Sequence, residues 1–146
     1  MRHVKLVVQI LAGALVLGAP PAMADVVAVV SVKSPITALS KSQVTDLFLG
    51  KVNRYPDGTQ AEPVDQAEGR TARDEFYSKA TGKSAAQLKA YWSKIIFTGR
   101  GQPPPTVAND IEMKKRISEH PQAIGYIDRS LVDSSVRVVC DVSLRP

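Results

Sequence analysis

Apolar positions recur along this chain with two different periods, and the change from one to the other marks out its elements. Asp25 to Val32 (D-V-V-A-V-V-S-V) is valine-rich and almost unbroken. A strand with one wet face alternates, so an unbroken run predicts a strand covered on both faces, in a parallel or mixed sheet between helices. Ser34-Pro35-Ile36-Thr37 breaks the run. Ser40 then caps a helix, Gln43 completes a capping box, Val44, Leu47 and Phe48 form the buried stripe, and Gly50 ends it. Tyr55-Pro56-Asp57-Gly58 is turn chemistry.

The second half repeats this grammar. Glu62-Pro63-Val64 predicts a short strand, followed by a polar turn and a helix opening near Gly69. That helix carries Phe76 and Tyr77 among charges and stops at Thr81-Gly82. A further helix is capped at Ser84, with Leu88, Tyr91, Trp92, Ile95 and Ile96 at helical spacing as its core face. Tyr91 and Trp92 also read as a ligand-stacking pair, but they fall in phase with the aliphatic positions, which favours packing. Thr98 to Pro105, with three consecutive prolines, is a stiff loop. A last helix starts at Thr106 or Asn109 and carries Val107, Ile111 and Ile117, with Lys114, Lys115 and Arg116 suited to its negative end. His120-Pro121 stops it, and Ala123 to Ile127 and Val136 to Val139 are strands. Strands alternating with helices predict one α/β domain, without internal repeat or low-complexity segment.

The N-terminus reads as an address. Arg2, His3 and Lys5 are basic, Leu6 to Leu17 is apolar, and Pro20-Pro21 precedes Ala22-Met23-Ala24. This is the layout of a cleaved export signal, residues 1–24, leaving residues 25–146 as the domain and the periplasm as its compartment. The apolar run is short for a membrane anchor, and no cysteine lies near the cleavage site to carry a lipid. The formal charge of +5 falls when Arg2 and Lys5 leave, with 17 basic against 14 acidic residues remaining. Mild basicity hints at anionic partners and gives no reason to expect nucleic acid. The single Cys140 sits in an apolar run, and His120 is the one histidine beyond the leader. No His/Cys cluster has metal-ligand spacing, no Ser/His/Asp or Cys/His set is visible, and no cofactor is expected.

Pro63 to Phe76 (P-V-D-Q-A-E-G-R-T-A-R-D-E-F) is the stretch with the most chemistry. Strand, tight turn and helix together aim free backbone N–H groups and the positive helix end at one point, which suits an anion. Arg70, Thr71 and Arg73 add donors there. Glu68 argues the other way, since a carboxylate can cap the helix and occupy that point itself. Asp65 and Glu68 read as members of an ion-pair cluster with the arginines.

Three segments, Leu39 to Val52, Tyr91 to Gly101 (Y-W-S-K-I-I-F-T-G-R-G) and His120 to Ile127 (H-P-Q-A-I-G-Y-I), occur in an order and spacing that resembles the periplasmic substrate-binding proteins of phosphate transporters, in particular their short PstS-like members. The resemblance covers nearly all of the chain after the leader. It implies a type II periplasmic-binding-protein fold reduced to little more than one lobe, with a mixed sheet flanked by helices, and binding of a tetrahedral oxyanion without catalysis. The family's ligand motif is a strand followed by R-x-D-G-S-G-T-T, with phenylalanine two residues later. Through Val64 and Phe76, its arginine position holds Gln66, its aspartate position Glu68, and the next glycine is Gly69. Arg70 stands for the serine, Thr71 for the second glycine, and Ala72 and Arg73 for the threonines. The acceptor carboxylate is thus kept as Glu68, while charge moves from position 66 to Arg70 and Arg73. The family's first ligand loop corresponds to Ser31–Thr37, with Ser34 and Thr37 as its hydroxyls.

Two functions follow as expectations. One is an exported, non-catalytic binder of phosphate or a similar oxyanion, serving a membrane transporter or sensor. The other is a ligand-free interaction module for a periplasmic receptor or envelope complex, using a face such as the Arg100 to Pro105 loop.

Overall fold

Every residue of the first strand, β1 (Val26–Ser31), is buried. Its side chains alternate between two cores: Val26, Ala28 and Val30 enter one, and Val27 and Val29 the other. Successive strand residues point to opposite faces, so an unbroken valine run is what a strand between two apolar layers requires. The computed structural model describes residue 13 and residues 25–144. The expected export signal lies outside the described residues, Gly13 excepted.

β1 is flanked by β5 (Ala123–Asp128) and β6 (Val136–Cys140), both antiparallel to it. β2 (Glu62–Pro63) lies beyond β5 and runs parallel to it, so the order is β2-β5-β1-β6. The sheet is mixed, as expected, although its long pairings are antiparallel. β3 (Asp65–Gln66) leaves this sheet and pairs in parallel with β4 (Thr106–Val107). Val107 therefore extends a strand and does not belong to the following helix.

Three helices feed the first core. α1 (Lys41–Phe48) contributes Val44, Leu47 and Phe48, α2 (Thr71–Thr81) contributes Phe76 and Tyr77, and α3 (Ala85–Phe97) contributes Leu88 and Trp92. The expected capping box of Ser40 with Gln43 forms, and the expected cap at Ser84 is completed to a second box by Gln87. α4 (Asp110–Glu119) covers the opposite face through Met113 and Ile117. Its approach depends on Gly125 of β5. A Cβ there would lie 3.0 Å from Ile117 Cδ1 and closer still to Met113 Sδ.

Two expected core positions are exposed. Ile111 is 70% exposed and Ile96 48%. Ile111 lies two residues, about 200° of helix, from Met113, so burying the Met113–Ile117 stripe turns it outward. Ile96 falls at the edge of a stripe centred on Leu88 and Trp92, in the last turn of α3. Phe97, beside it, is 92% exposed.

Candidate functional site

The turn between β3 and α2 is held from both sides. The Asp65 amide donates to the Pro105 carbonyl at 2.8 Å and the Ala67 amide to the Val107 carbonyl at 3.0 Å, pinning the turn to β4. The Arg70 amide donates back to the Ala67 carbonyl at 3.3 Å, and Gly69 sits at φ +89°, a conformation glycine adopts without strain. α2 then opens at Thr71, two residues later than the pattern predicts, with Arg70 at its N-cap. Arginine has no acceptor atom with which to cap, and no side chain bonds the N-terminal amides of this helix. The other three α-helices among the described residues are capped by Ser40, Ser84 and Asn109. The head of α2 thus keeps uncompensated donors and the positive end of its dipole, offset by Asp74 in its first turn.

Beneath this turn lies a buried polar network absent from the sequence reading. Asp65 is 2% exposed and Gln66 fully buried. Asp65 Oδ1 accepts from the Gln66 amide at 2.8 Å and from the Tyr126 hydroxyl; Oδ2 accepts from the Tyr77 hydroxyl at 2.7 Å. Arg73 Nε lies 3.5 Å from the same Oδ2, and its guanidinium rests 5.4 Å from the centre of the Tyr77 ring. A buried carboxylate is costly unless ringed by donors, and this one is. Burial, with the negative charge of Asp65 second, pushes the Tyr77 and Tyr126 hydroxyls well above the ordinary tyrosine range. Both therefore stay protonated as donors. Gln66 Nε2 donates to the Tyr126 carbonyl at 3.1 Å and to Asp110 at the head of α4, while Gln66 Oε1 is buried without a partner.

The expected site residues separate into three groups. Gly69, Arg70 and Thr71 form the turn and helix head, and Arg73 lies on the first turn of α2, anchored to Asp65. Gln66 points into the buried network. Glu68 is exposed and does not cap α2; its nearest cation is Lys89 at 3.9 Å. Asp65 and Glu68 therefore belong to different environments, not to one ion-pair cluster. Ser34 and Thr37 form the third group. The Ser34 hydroxyl accepts from the Ile36 amide at 3.1 Å, and Thr37 is exposed. Arg137 Nη1 donates to the Ser34 and Ile36 carbonyls at 2.8 and 2.9 Å, holding this loop against β6. Among the described residues no hydrogen bond or ion pair joins Ser34 or Thr37 to the Glu68–Arg73 segment.

The sequence carried one signal for the missed network. Asp65-Gln66 is a polar pair in a strand beside buried Val64, and a buried polar pair needs partners. Its partners, Tyr77, Asp110 and Tyr126, come from three separate elements, and sequence separation hides them.

No protein-family model and no curated protein sequence matches the chain. Solved structures do. A phosphate ABC transporter substrate-binding protein with bound phosphate from Clostridium perfringens is similar at TM-score 0.63 and 21% identity, over 84% of this chain and 46% of that one. An ABC-type phosphate transport receptor from Vibrio cholerae is similar at 0.62 and 20%, over 80% and 45%. PstS from Borrelia burgdorferi is similar at 0.55 and 14%, over 84% and 49%. The chain thus spans less than half the length of these neighbours. At this identity the likeness is one of fold, and the chain carries the fold of the phosphate-transporter substrate-binding proteins over about half of such a protein.

Proposed function

We propose that the chain is an exported, non-catalytic solute-binding protein that takes phosphate or a similar tetrahedral oxyanion at the head of α2, for delivery to a membrane transporter or sensor. The observation that carries this reading is the uncapped helix head with Arg73 fixed beside it. Of the four α-helices among the described residues, only this one has N-terminal amides without a side-chain acceptor, and its flanking residues are Arg70 and Arg73. Asp65 takes the Nε side of Arg73, which leaves the guanidinium's two terminal nitrogens for a two-pronged contact. The neighbours named for phosphate transport, one of them holding phosphate, support the same ligand class. Export is supported by the sequence of residues 1–24.

Calorimetric titration of phosphate and sulfate into the full-length protein, with thermal unfolding in parallel, tests this. A ligand at about 100 times its Kd adds roughly 2.7 kcal/mol and raises the midpoint by several degrees. The double substitution Arg70→Ala and Arg73→Ala is expected to abolish the heat of binding and the rise while the protein still unfolds cooperatively. Undiminished phosphate binding by that variant removes the assignment.

One observation favours the second reading, an interaction module. Phe97 is 92% exposed at the end of α3, beside Ile96 and the Arg100–Pro105 loop, and phenylalanine is enriched at protein interfaces. Recovery of a membrane sensor by the protein, lost on Phe97→Ser and joined to an absence of any anion response, is the outcome that selects it.

A further inference from the structure

A cavity of about 610 Å³ lies between the ends of α1 and α3 and the loop that follows α3. It shares no lining residue with the Glu68–Arg73 segment. We infer that this cavity is a second binding site, for a small anionic amphiphile: a carboxylate or comparable acid on an aliphatic or aromatic body.

Its volume is within the range of small-molecule sites. The wall is apolar, built from Leu49, Ile95 and the faces of Tyr91 and Trp92. Its charged lining residues are Lys51, Lys94 and Arg100, with no acidic residue among them. All three are exposed, and none enters an ion pair among the described residues. Lys94 also complements the carbonyl end of α3. Lys51 and Arg100 lie beyond the last turns of α1 and α3, so three like charges gather at one rim. An apolar wall with an unpaired cationic rim is the complement of an amphiphile whose head is negative.

The wall is also fixed in place. The Tyr91 hydroxyl donates to the Leu49 carbonyl at 2.6 Å, tying α3 to the end of α1, and Lys83 sits over the Tyr91 ring at 5.2 Å. Gly50, at φ +70°, lets the chain pass the indole, since a Cβ there would lie 3.2 Å from the Trp92 ring. Trp92 is 6% exposed, and its Nε1–H is buried without any acceptor. Buried indole N–H groups ordinarily find a partner.

Trp92 is the chain's single tryptophan and lines the cavity, so its emission probes occupancy; because it also borders Glu68 and Arg73, the same response is expected in the variant carrying Arg70→Ala and Arg73→Ala. The test titrates the full-length protein with sodium decanoate and, separately, with decanol, which has the same tail and no charge. Decanoate is expected to change Trp92 emission saturably, with binding at least tenfold tighter than that of decanol. The triple substitution Lys51→Gln, Lys94→Gln and Arg100→Gln, all at exposed side chains, is expected to weaken decanoate at least tenfold while the protein still unfolds cooperatively. Lys51→Gln and Arg100→Gln alone give the same loss in smaller steps. No saturable change with decanoate, equal binding of decanol, or undiminished decanoate binding by these variants each overturns the inference.

Discussion

At the scale of single residues, Asp65 decides how the site is held. It is the buried charge on which Tyr77, Tyr126, the Gln66 amide and Arg73 converge, and it holds Arg73 to one side of the helix head. The Tyr126 hydroxyl both donates to Asp65 and accepts from the Gln66 amide, so its loss leaves buried groups short of partners. Tyr126→Phe, which keeps the ring stacked at 4.1 Å on Phe76, is expected to cost about 1–3 kcal/mol, read as a lowered urea midpoint. Lys89→Met removes only an exposed partner 3.9 Å from Glu68, and is expected to leave the midpoint where it is. The contrast follows from solvent: water replaces a lost partner at the surface and has no access to Asp65.

At the scale of the element, α2 is shaped differently from its neighbours. A serine at position 70 supplies the acceptor that Ser40 and Ser84 supply to α1 and α3. Arg70→Ser is therefore expected to stabilise the protein by about 0.5–1 kcal/mol in anion-free buffer, measured by urea unfolding. The same substitution is expected to shrink the rise in midpoint on adding phosphate, because the new hydroxyl and the anion compete for the same amides. If α2 is merely a frayed surface helix, the first effect appears and the second does not. Helix amphipathicity was legible element by element, since Val44, Leu47 and Phe48, or Leu88 and Trp92, are buried where the period places them. Ile111 and Val107 were not, because apolar character alone does not say which neighbour a helix face or a two-residue strand will meet.

At the scale of the whole molecule, β1 belongs to both cores and couples them. Disturbing one face is then expected to lower the stability of the other. Gly125→Ala forces a methyl against Met113 and Ile117 on the α4 side, an overpacking worth about 1–3 kcal/mol. Trp92 emission, which reports the opposite core, and far-UV circular dichroism are expected to show the same lowered midpoint. Separate midpoints for the two signals would mean that the layers unfold independently.

Local rules are enough to account for what the sequence by itself determined: a doubly covered first strand, the capping box at Ser40 and the cap at Ser84, the helix stops at Gly82 and His120, and an α/β class. Each depends on residues within a few positions of one another, where backbone sterics and side-chain period act without help from the rest of the chain. The strand order and the antiparallel pairing of β1 with β5 and β6 were decided only by the tertiary structure. So were the different environments of Asp65 and Glu68, and the holding of the Ser34 loop by Arg137 of β6. The reason is that a polar side chain's role is set by what surrounds it. Asp65 and Glu68 are three residues apart and chemically alike, yet one is enclosed by Tyr77 and Tyr126 from distant elements and the other faces water.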